Sequence, residues 1–311
     1  MAVLIAADFN ADEWAAWWPA LQAALPGEHL LRERGHTPVD QIDIALVANP
    51  AGGELRGLPG LRLVQSLWAG VETLLADPTV PAHVPLARMV DPAMNEAMAQ
   101  TALWAVLGLH RGFFTYVRQQ HAQQWQQHAQ SRADEFPVAV LGLGHMGRTV
   151  AQRLARNGYP VRGWSARQTA IDGVVALAGD AALPHVLAGA RIVINLLPLT
   201  PTTRRFFDAQ RFALMPPGAS LVNLARGAHV VEADLLAALA SGHLRHAVLD
   251  VFGTEPLPAG HAFWTHPHIT VLPHVAALTD ARSAAQGVAR NVQALRQGLP
   301  LQHLVDRSLG Y

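Results

Sequence analysis

The sequence predicts an α/β fold in two domains, the larger built on a doubly wound parallel sheet with helices on both faces. Three observations point there. The chain has 311 residues, and two domains is the expectation for that length. It is 50% hydrophobic and only 15% charged, which suits substantial cores and excludes a disordered chain. From Pro137 onward, short apolar runs alternate with helical stretches, the pattern of parallel strands joined by covering helices.

Composition removes several function classes. Lys+Arg and Asp+Glu both total 23, for zero formal net charge, so a broad phosphate-neutralising surface for nucleic acid is not expected. There is no Cys, which excludes disulfides, thiol catalysis and Cys-ligated metal sites. The opening MAVLIAADFNADEW has no basic leader and reads as a first strand rather than a signal peptide. No uncharged apolar run approaches the roughly 20 residues of a membrane span. The expectation is a soluble cytoplasmic protein that binds neither membrane nor nucleic acid.

The first hundred residues read as a small α/β unit. VLIAAD (3–8), IDIALVA (42–48) and LRLVQSLWAG (61–70) are strand candidates. Between the first two, Trp14, Trp17, Trp18 and Leu21 recur at helical spacing as a packing face, and Pro26-Gly27 ends that helix. A long helix is predicted over roughly 92–118, with Asp91 as N-cap and Pro92 at the first helical position. QQHAQQWQQHAQSR (119–132) reads as an exposed arm or a helix end, where His121 and His128 could share a face.

After Pro137 come the strand VAVLGL, a helix near 146–157, and the strand YPVRGWS. RIVINLLPL (191–199), ASLVNLA (219–225), HAVLDVF (246–252) and HITVLPH (268–274) are further strands, separated by helices around FDAQRFALM and 232–240. A last helix near 280–297 is expected to return to the first unit. The domains would then be 1–98 with 278–311 for substrate, and 99–277 for a dinucleotide.

The dinucleotide expectation comes from Gly142-Leu143-Gly144-His145-Met146-Gly147. A GxGxxG string carries weight only in context, and here it follows a strand and opens a helix within a βαβ unit. Gly142 permits the turn, Gly144 lets backbone approach a pyrophosphate, and Gly147 lets helix and strand pack closely. The helix N-terminus offers amides and a positive dipole end to the anion. At the end of the next strand, Gly163-Trp164-Ser165-Ala166-Arg167-Gln168 has no acid where an NAD site usually places one. Ser165 and Arg167 suit a 2′-phosphate instead, which predicts NADP in preference to NAD.

Arg226, Glu255 and His274 stand at the ends of successive predicted strands. Ligands of open parallel sheets bind beyond the carboxyl ends of strands, so all three are candidate catalytic residues. Singly, each has an ordinary reading as a turn cap, a loop charge or an interior histidine.

The chain resembles the D-isomer-specific 2-hydroxyacid dehydrogenases, and within them is similar to the glyoxylate/hydroxypyruvate reductase A group. The matching stretches are LWAGVETLL (67–75), VLGLGHMG (140–147), INLLPLTPTT (194–203), NLARGAHVVEADLLAAL (223–239), LDVFGTEPLP (249–258), PHVAALT (273–279) and VDRSLGY (305–311). Near Ala166 to Gln168 the basic residues are sparser than in a strongly NADPH-selective member.

The resemblance implies a Rossmann domain plus a flavodoxin-like α/β substrate domain. It implies that Arg226 clamps the substrate carboxylate and keto oxygen, that His274 protonates the carbonyl oxygen, and that Glu255 orients the imidazole and favours its protonated form. The amides of Trp68, Ala69, Gly70 and Val71 would cradle the substrate carboxylate, with Met94 and the loop Asn49 to Gly53 beside it. Asp250 would hold the nicotinamide carboxamide. Leu197, Pro198, Thr203, Leu224 and Ala225 would line the cofactor, together with His145, Met146 and Trp164. A homodimer through the dinucleotide domain is implied, the 119–132 arm contributing.

The expected activity is NADPH-dependent reduction of glyoxylate or hydroxypyruvate. A bulkier 2-ketoacid is the alternative substrate, and a non-catalytic dinucleotide-sensing protein is the alternative class. No metal is expected, because His243 with His246 and His266 with His268 lack carboxylates at ligand spacing.

Overall fold

A computed structural model describes residues 1–311. It comprises two compact units, 1–94 with 279–311 and 95–278.

The first unit is built on β1 (Ala2–Ala7), β2 (His29–Leu31), β3 (Ile42–Ala48), β4 (Leu63–Ser66) and β5 (Leu86–Ala87). All pair in parallel, in the order β2-β1-β3-β4-β5, which is the flavodoxin-like arrangement. Every residue of β3 is buried, as expected of a strand covered on both faces. Helix α1 (Ala11–Ala24) follows β1 and opens on a capping box, and the short α2 (Glu72–Ala76) follows β4. Asn10 Oδ1 accepts the Glu13 amide at 3.0 Å, and Glu13 Oε2 accepts the Asn10 amide at 2.9 Å. The tryptophan face divides: Trp17 and Leu21 are buried, whereas Trp14 and Trp18 sit at the surface beneath the Arg32 guanidinium, 5.0 and 4.3 Å from their ring centres.

The chain's last helix, Ala281–Gln297, belongs to this unit. It is fastened through Asp43, fully buried in β3. Arg296 bonds the Asp43 carboxylate and also the Glu28 carboxylate, the latter through Nε at 2.9 Å and Nη2 at 2.7 Å. Those two acids raise the Arg296 pKa above its ordinary value, so the buried carboxylate keeps a charged partner.

The second unit begins with α3 (Pro92–His110), whose first turn lies in the first unit, and α4 (Phe113–His121). The predicted single helix is therefore broken, at Gly112, which adopts the left-handed φ of 73°. The helix ends at His121, and 122–132 is exposed and non-helical. His121 and His128 do not share a helical face. His128 instead packs on Tyr116, with ring centres 5.6 Å apart.

Then follow β6 (Val138–Leu141), α5 (His145–Arg156), β7 (Val161–Ser165), β8 (Val175–Ala178), α6 (Leu183–Ala188), β9 (Ile192–Asn195), α7 (Ala209–Leu214), β10 (Ala219–Asn223), α8 (Glu232–Ala240), β11 (Leu244–Leu249) and β12 (Ile269–Val271). The seven strands are parallel in the order β12-β11-β10-β9-β6-β7-β8. Strand order reverses between β6 and β9, and the glycine-rich loop leaves β6 there, at the switch point where such sheets bind nucleotides. Helix α5 buries Gly147, Val150, Ala151 and Leu154, a single face at helical spacing. Fully burying a Val or Leu contributes roughly 1.5–3 kcal/mol.

Candidate active site

The glycine-rich turn is sterically determined. Gly142 has φ 95°, and a Cβ there would lie 2.4 Å from the Leu196 carbonyl oxygen; at Gly147 a Cβ would lie 1.7 Å from that of Gly142. A side chain at Gly147 would push α5 off the turn, and one at Gly142 would push the turn off the loop after β9. Gly144, the N-cap of α5, faces open space. The helix thus presents its first turn and positive dipole end without a side chain in the way, which fits a pyrophosphate.

Arg226, Glu255 and His274 follow β10, β11 and β12, adjacent strands running the same way. His274 Nδ1 lies 2.6 Å from Glu255 Oε2. A carboxylate only accepts, so Nδ1 carries the proton and Nε2 is the working nitrogen. Glu255 Oε1 accepts the Phe252 amide at 2.8 Å, which fixes the carboxylate. The His274 side chain is 53% exposed, so a small molecule can reach it.

His274 has φ 56°, a left-handed conformation that costs a non-glycine residue about 1–3 kcal/mol. Asp250 holds the segment there. Its carbonyl accepts the His274 amide at 2.9 Å, and its carboxylate oxygens accept the Val275 and Ala276 amides at 2.7 and 3.0 Å. Asp250 is 1% exposed. Burial raises its carboxyl pKa above the ordinary value, against the lowering effect of the two amides. Each carboxylate oxygen keeps a further lone pair, so this anchoring of the His274 loop is compatible with the expected contact to a nicotinamide carboxamide.

Sequence reasoning missed a buried amide pair beneath Arg226. Asn195 and Asn223 end β9 and β10, and both are fully buried. Asn195 Nδ2 donates to Asn223 Oδ1 at 2.9 Å, and Asn223 Nδ2 donates to the Arg226 carbonyl at 3.0 Å. Asn195 Oδ1 accepts the Leu197 amide at 3.2 Å, and Asn223 Oδ1 the Ala225 amide at 3.3 Å. The pair therefore sets the backbone of both loops. An asparagine closing an apolar strand in INLL and again in VNLA was the available signal.

The other residues expected at the cofactor have the following surroundings. Trp164 is 5% exposed, and its indole donates to the Gly179 carbonyl at 2.9 Å; it is core, tilted 40° against the Phe206 ring with centres 5.9 Å apart. The Ser165 hydroxyl donates to the Arg167 carbonyl at 2.6 Å, so its proton is already committed. Thr203 Oγ1 donates to the Pro198 carbonyl at 2.6 Å, closing the 198–203 loop on itself. Leu197, Leu224 and Ala225 are buried beside the Asn pair. Arg167 and His145 are exposed, and Met146 is half-buried.

In the first unit, the Trp68 amide donates to Ser66 Oγ at 3.1 Å, and its indole packs edge-on against Phe9 and Trp17. The expected amide cradle reduces to Ala69, Gly70 and Val71, whose N–H groups make no bond within the chain. Met94 is 4% exposed, buried in the first turn of the helix that starts at Pro92.

Comparison with known proteins follows this geometry. The family profile "D-isomer specific 2-hydroxyacid dehydrogenase, NAD binding domain" matches residues 103–276. The chain belongs to the D-isomer specific 2-hydroxyacid dehydrogenases. It is 42% identical to the glyoxylate/hydroxypyruvate reductase A of Serratia proteamaculans and 38% identical to that of Yersinia enterocolitica, over 97% of each chain. A D-isomer specific 2-hydroxyacid dehydrogenase of Xanthobacter autotrophicus, solved with NADPH and MES, superposes with a TM-score of 0.94 at 40% identity. That match covers 100% of this chain and 99% of the other. An NADPH-dependent glyoxylate/hydroxypyruvate reductase of Sinorhizobium meliloti, solved with NADP and sulfate, superposes at 0.92 with 34% identity and the same coverage. This dehydrogenase has no helix long and apolar enough to cross a membrane.

Proposed function

We propose that this dehydrogenase reduces small 2-oxoacids, glyoxylate and hydroxypyruvate foremost, with NADPH. The observation that carries the chemistry is the His274–Glu255 hydrogen bond of 2.6 Å, set on the sheet edge that also presents Arg226 and the glycine-rich turn. When bound, NADPH supplies the hydride. Gly142, Gly144 and Gly147 with the first turn of α5 would hold its pyrophosphate, and Arg167 its 2′-phosphate.

The protein's own residues do the rest. The Arg226 guanidinium binds the substrate carboxylate and keto oxygen as a fork, charged at any working pH. The amides of Ala69, Gly70 and Val71, which make no bond within the chain, are the first unit's donors for a carboxylate. His274, protonated on both nitrogens, gives its Nε2 proton to the carbonyl oxygen as negative charge develops there. Nδ1 keeps its proton, and Glu255 stabilises the imidazolium before transfer and orients the ring throughout. In oxidation the neutral Nε2 accepts the alcohol proton.

A purely sensory dinucleotide-binding protein would have no use for an anchored acid–base pair. The identities to reductases of glyoxylate and hydroxypyruvate support the small substrates over a bulkier 2-ketoacid. The homodimer is part of the same proposal. It is supported by exposed apolar side chains on α3, α4 and the arm, among them Trp104, Phe113, Val117 and a 97% exposed Trp125. Cytoplasmic location goes with it, since the cofactor is a cellular metabolite.

A steady-state screen of 2-oxoacids with NADPH and NADH tests the reading. Glyoxylate and hydroxypyruvate should give the highest kcat/KM, with NADPH preferred. A preference for phenylpyruvate would shift the substrate to the bulky class, and absence of turnover with every 2-oxoacid would defeat the enzymatic reading.

A further inference from the structure

This inference rests on the proposed use of NADPH. The loop after β7 is where a dinucleotide's adenosine ribose lies in this fold. No acid occurs between Gly158 and Ile171. The loop's own polar groups are nonetheless a thin match for a phosphate of charge about −1.5 to −2. The Ser165 hydroxyl already donates to the Arg167 carbonyl, and a phosphate has only acceptors to offer it. Arg167 is then the loop's one cation.

A second guanidinium reaches the loop from α5. Arg148, next after Gly147, donates through Nη1 to the Ala170 carbonyl and through Nη2 to Thr169 Oγ1, both at 2.9 Å. It is exposed and forms no ion pair, so its charge is uncancelled. Its two contacts are with neutral acceptors on the far end of the loop, and they tie that loop to the helix carrying the glycine-rich turn. A planar fork can hold two such acceptors and keep further N–H groups for an anion.

We propose that Arg148 is the second specificity residue for the cofactor's 2′-phosphate: it fixes the 166–170 loop and adds a positive charge beside Arg167. The proximity of Arg148 to this loop cannot be read from spacing, because the two are brought together only by the β6-α5-β7 fold.

The experiment is calorimetric titration with 2′,5′-ADP and 5′-AMP, which differ only in the 2′-phosphate. It is done on the wild-type protein and on Arg148→Met, Arg148→Lys and Arg167→Met, with melting curves of each. Wild type should favour 2′,5′-ADP. Arg148→Met should lose about tenfold of that preference, the worth of one charge-assisted hydrogen bond, with 5′-AMP affinity and melting temperature unchanged. Arg148→Lys should recover part of it, and NADPH against NADH titrations should follow the same order. A preference that survives in Arg148→Met overturns the proposal alone, as does an equal loss for both nucleotides. A wild-type protein with no preference overturns the NADPH reading as well.

Discussion

Glu255 Oε2 and His274 Nδ1 lie 2.6 Å apart, and each is fixed from its other side. Glu255 is held by the Phe252 amide, and His274 by the backbone of Asp250. The imidazole therefore presents Nε2 in a set direction before any ligand arrives, which is the preorganisation a proton donor needs. Replacing His274 with Ala should lower kcat by roughly 10²–10⁴, with little change in affinity for the cofactor. Stopped-flow and equilibrium titration would separate the two, and an unimpaired variant would remove His274 from the chemistry.

Asp250 governs the same imidazole from below. In Asp250→Asn one carboxylate oxygen becomes an amide that cannot accept the Val275 or Ala276 N–H, so one buried donor is left unmet. The loop should loosen and His274 should drift from its left-handed geometry. A displacement near 1 Å is enough to cost about 10² in rate. The expected split is a fall in kcat with KM for cofactor within about threefold; a selective rise in cofactor KM would instead favour the carboxamide contact.

Arg226 stands on a backbone pinned by Asn223. Arg226→Lys keeps the charge and loses the fork, so both KM for the oxoacid and kcat should suffer. Steady-state kinetics with glyoxylate checks this. Parity with the wild type would mean that the guanidinium acts only as a point charge.

Away from the site, His246 carries a stability signature. It is 5% exposed and lies flat against Phe114, with ring centres 5.1 Å apart. Burial, with Arg118, His268, Arg245 and His266 nearby, lowers its pKa to about 3. Unfolded, it titrates near 6.5. Above that pH both states are neutral and nothing is lost. As pH falls from about 6.5 toward 3, the unfolded chain takes a proton that the folded one refuses, so stability declines. Between about pH 7.5 and 5, the wild type should lose about 2 kcal/mol more than His246→Gln. Urea unfolding at both pH values measures it, and parallel losses would contradict it.

Much of this was readable in the chain itself, for reasons that differ by element. The glycine-rich turn was readable because Gly142 and Gly147 are required by local backbone contacts. Strands such as β3 and β9 were readable because burial on both faces leaves a continuous apolar run. Three of the four edge strands were not: β2 and β5 span His29–Leu31 and Leu86–Ala87, and β8 is half-exposed, so none of these carries a full pattern. The break at Gly112 hid inside an apolar stretch that reads as one helix. Side-chain commitments were hidden for a different reason. Ser165 and Asp250 spend side-chain hydrogen bonds on backbone groups, and the Trp68 amide is taken by Ser66 Oγ, all in positions that only the folded loops define. Arg148 was passed over because its partners lie beyond an intervening strand.

The most direct measurement follows a deuterium label. NADPH deuterated at either face of nicotinamide C4 would be incubated with glyoxylate and the enzyme, and the glycolate examined by mass spectrometry. One of the two labelled cofactors should place a single deuterium on C2 of the product, and His274→Ala should slow its appearance. Glycolate free of deuterium from both cofactors, or no glycolate at all, would contradict hydride transfer between a bound nicotinamide and a 2-oxoacid.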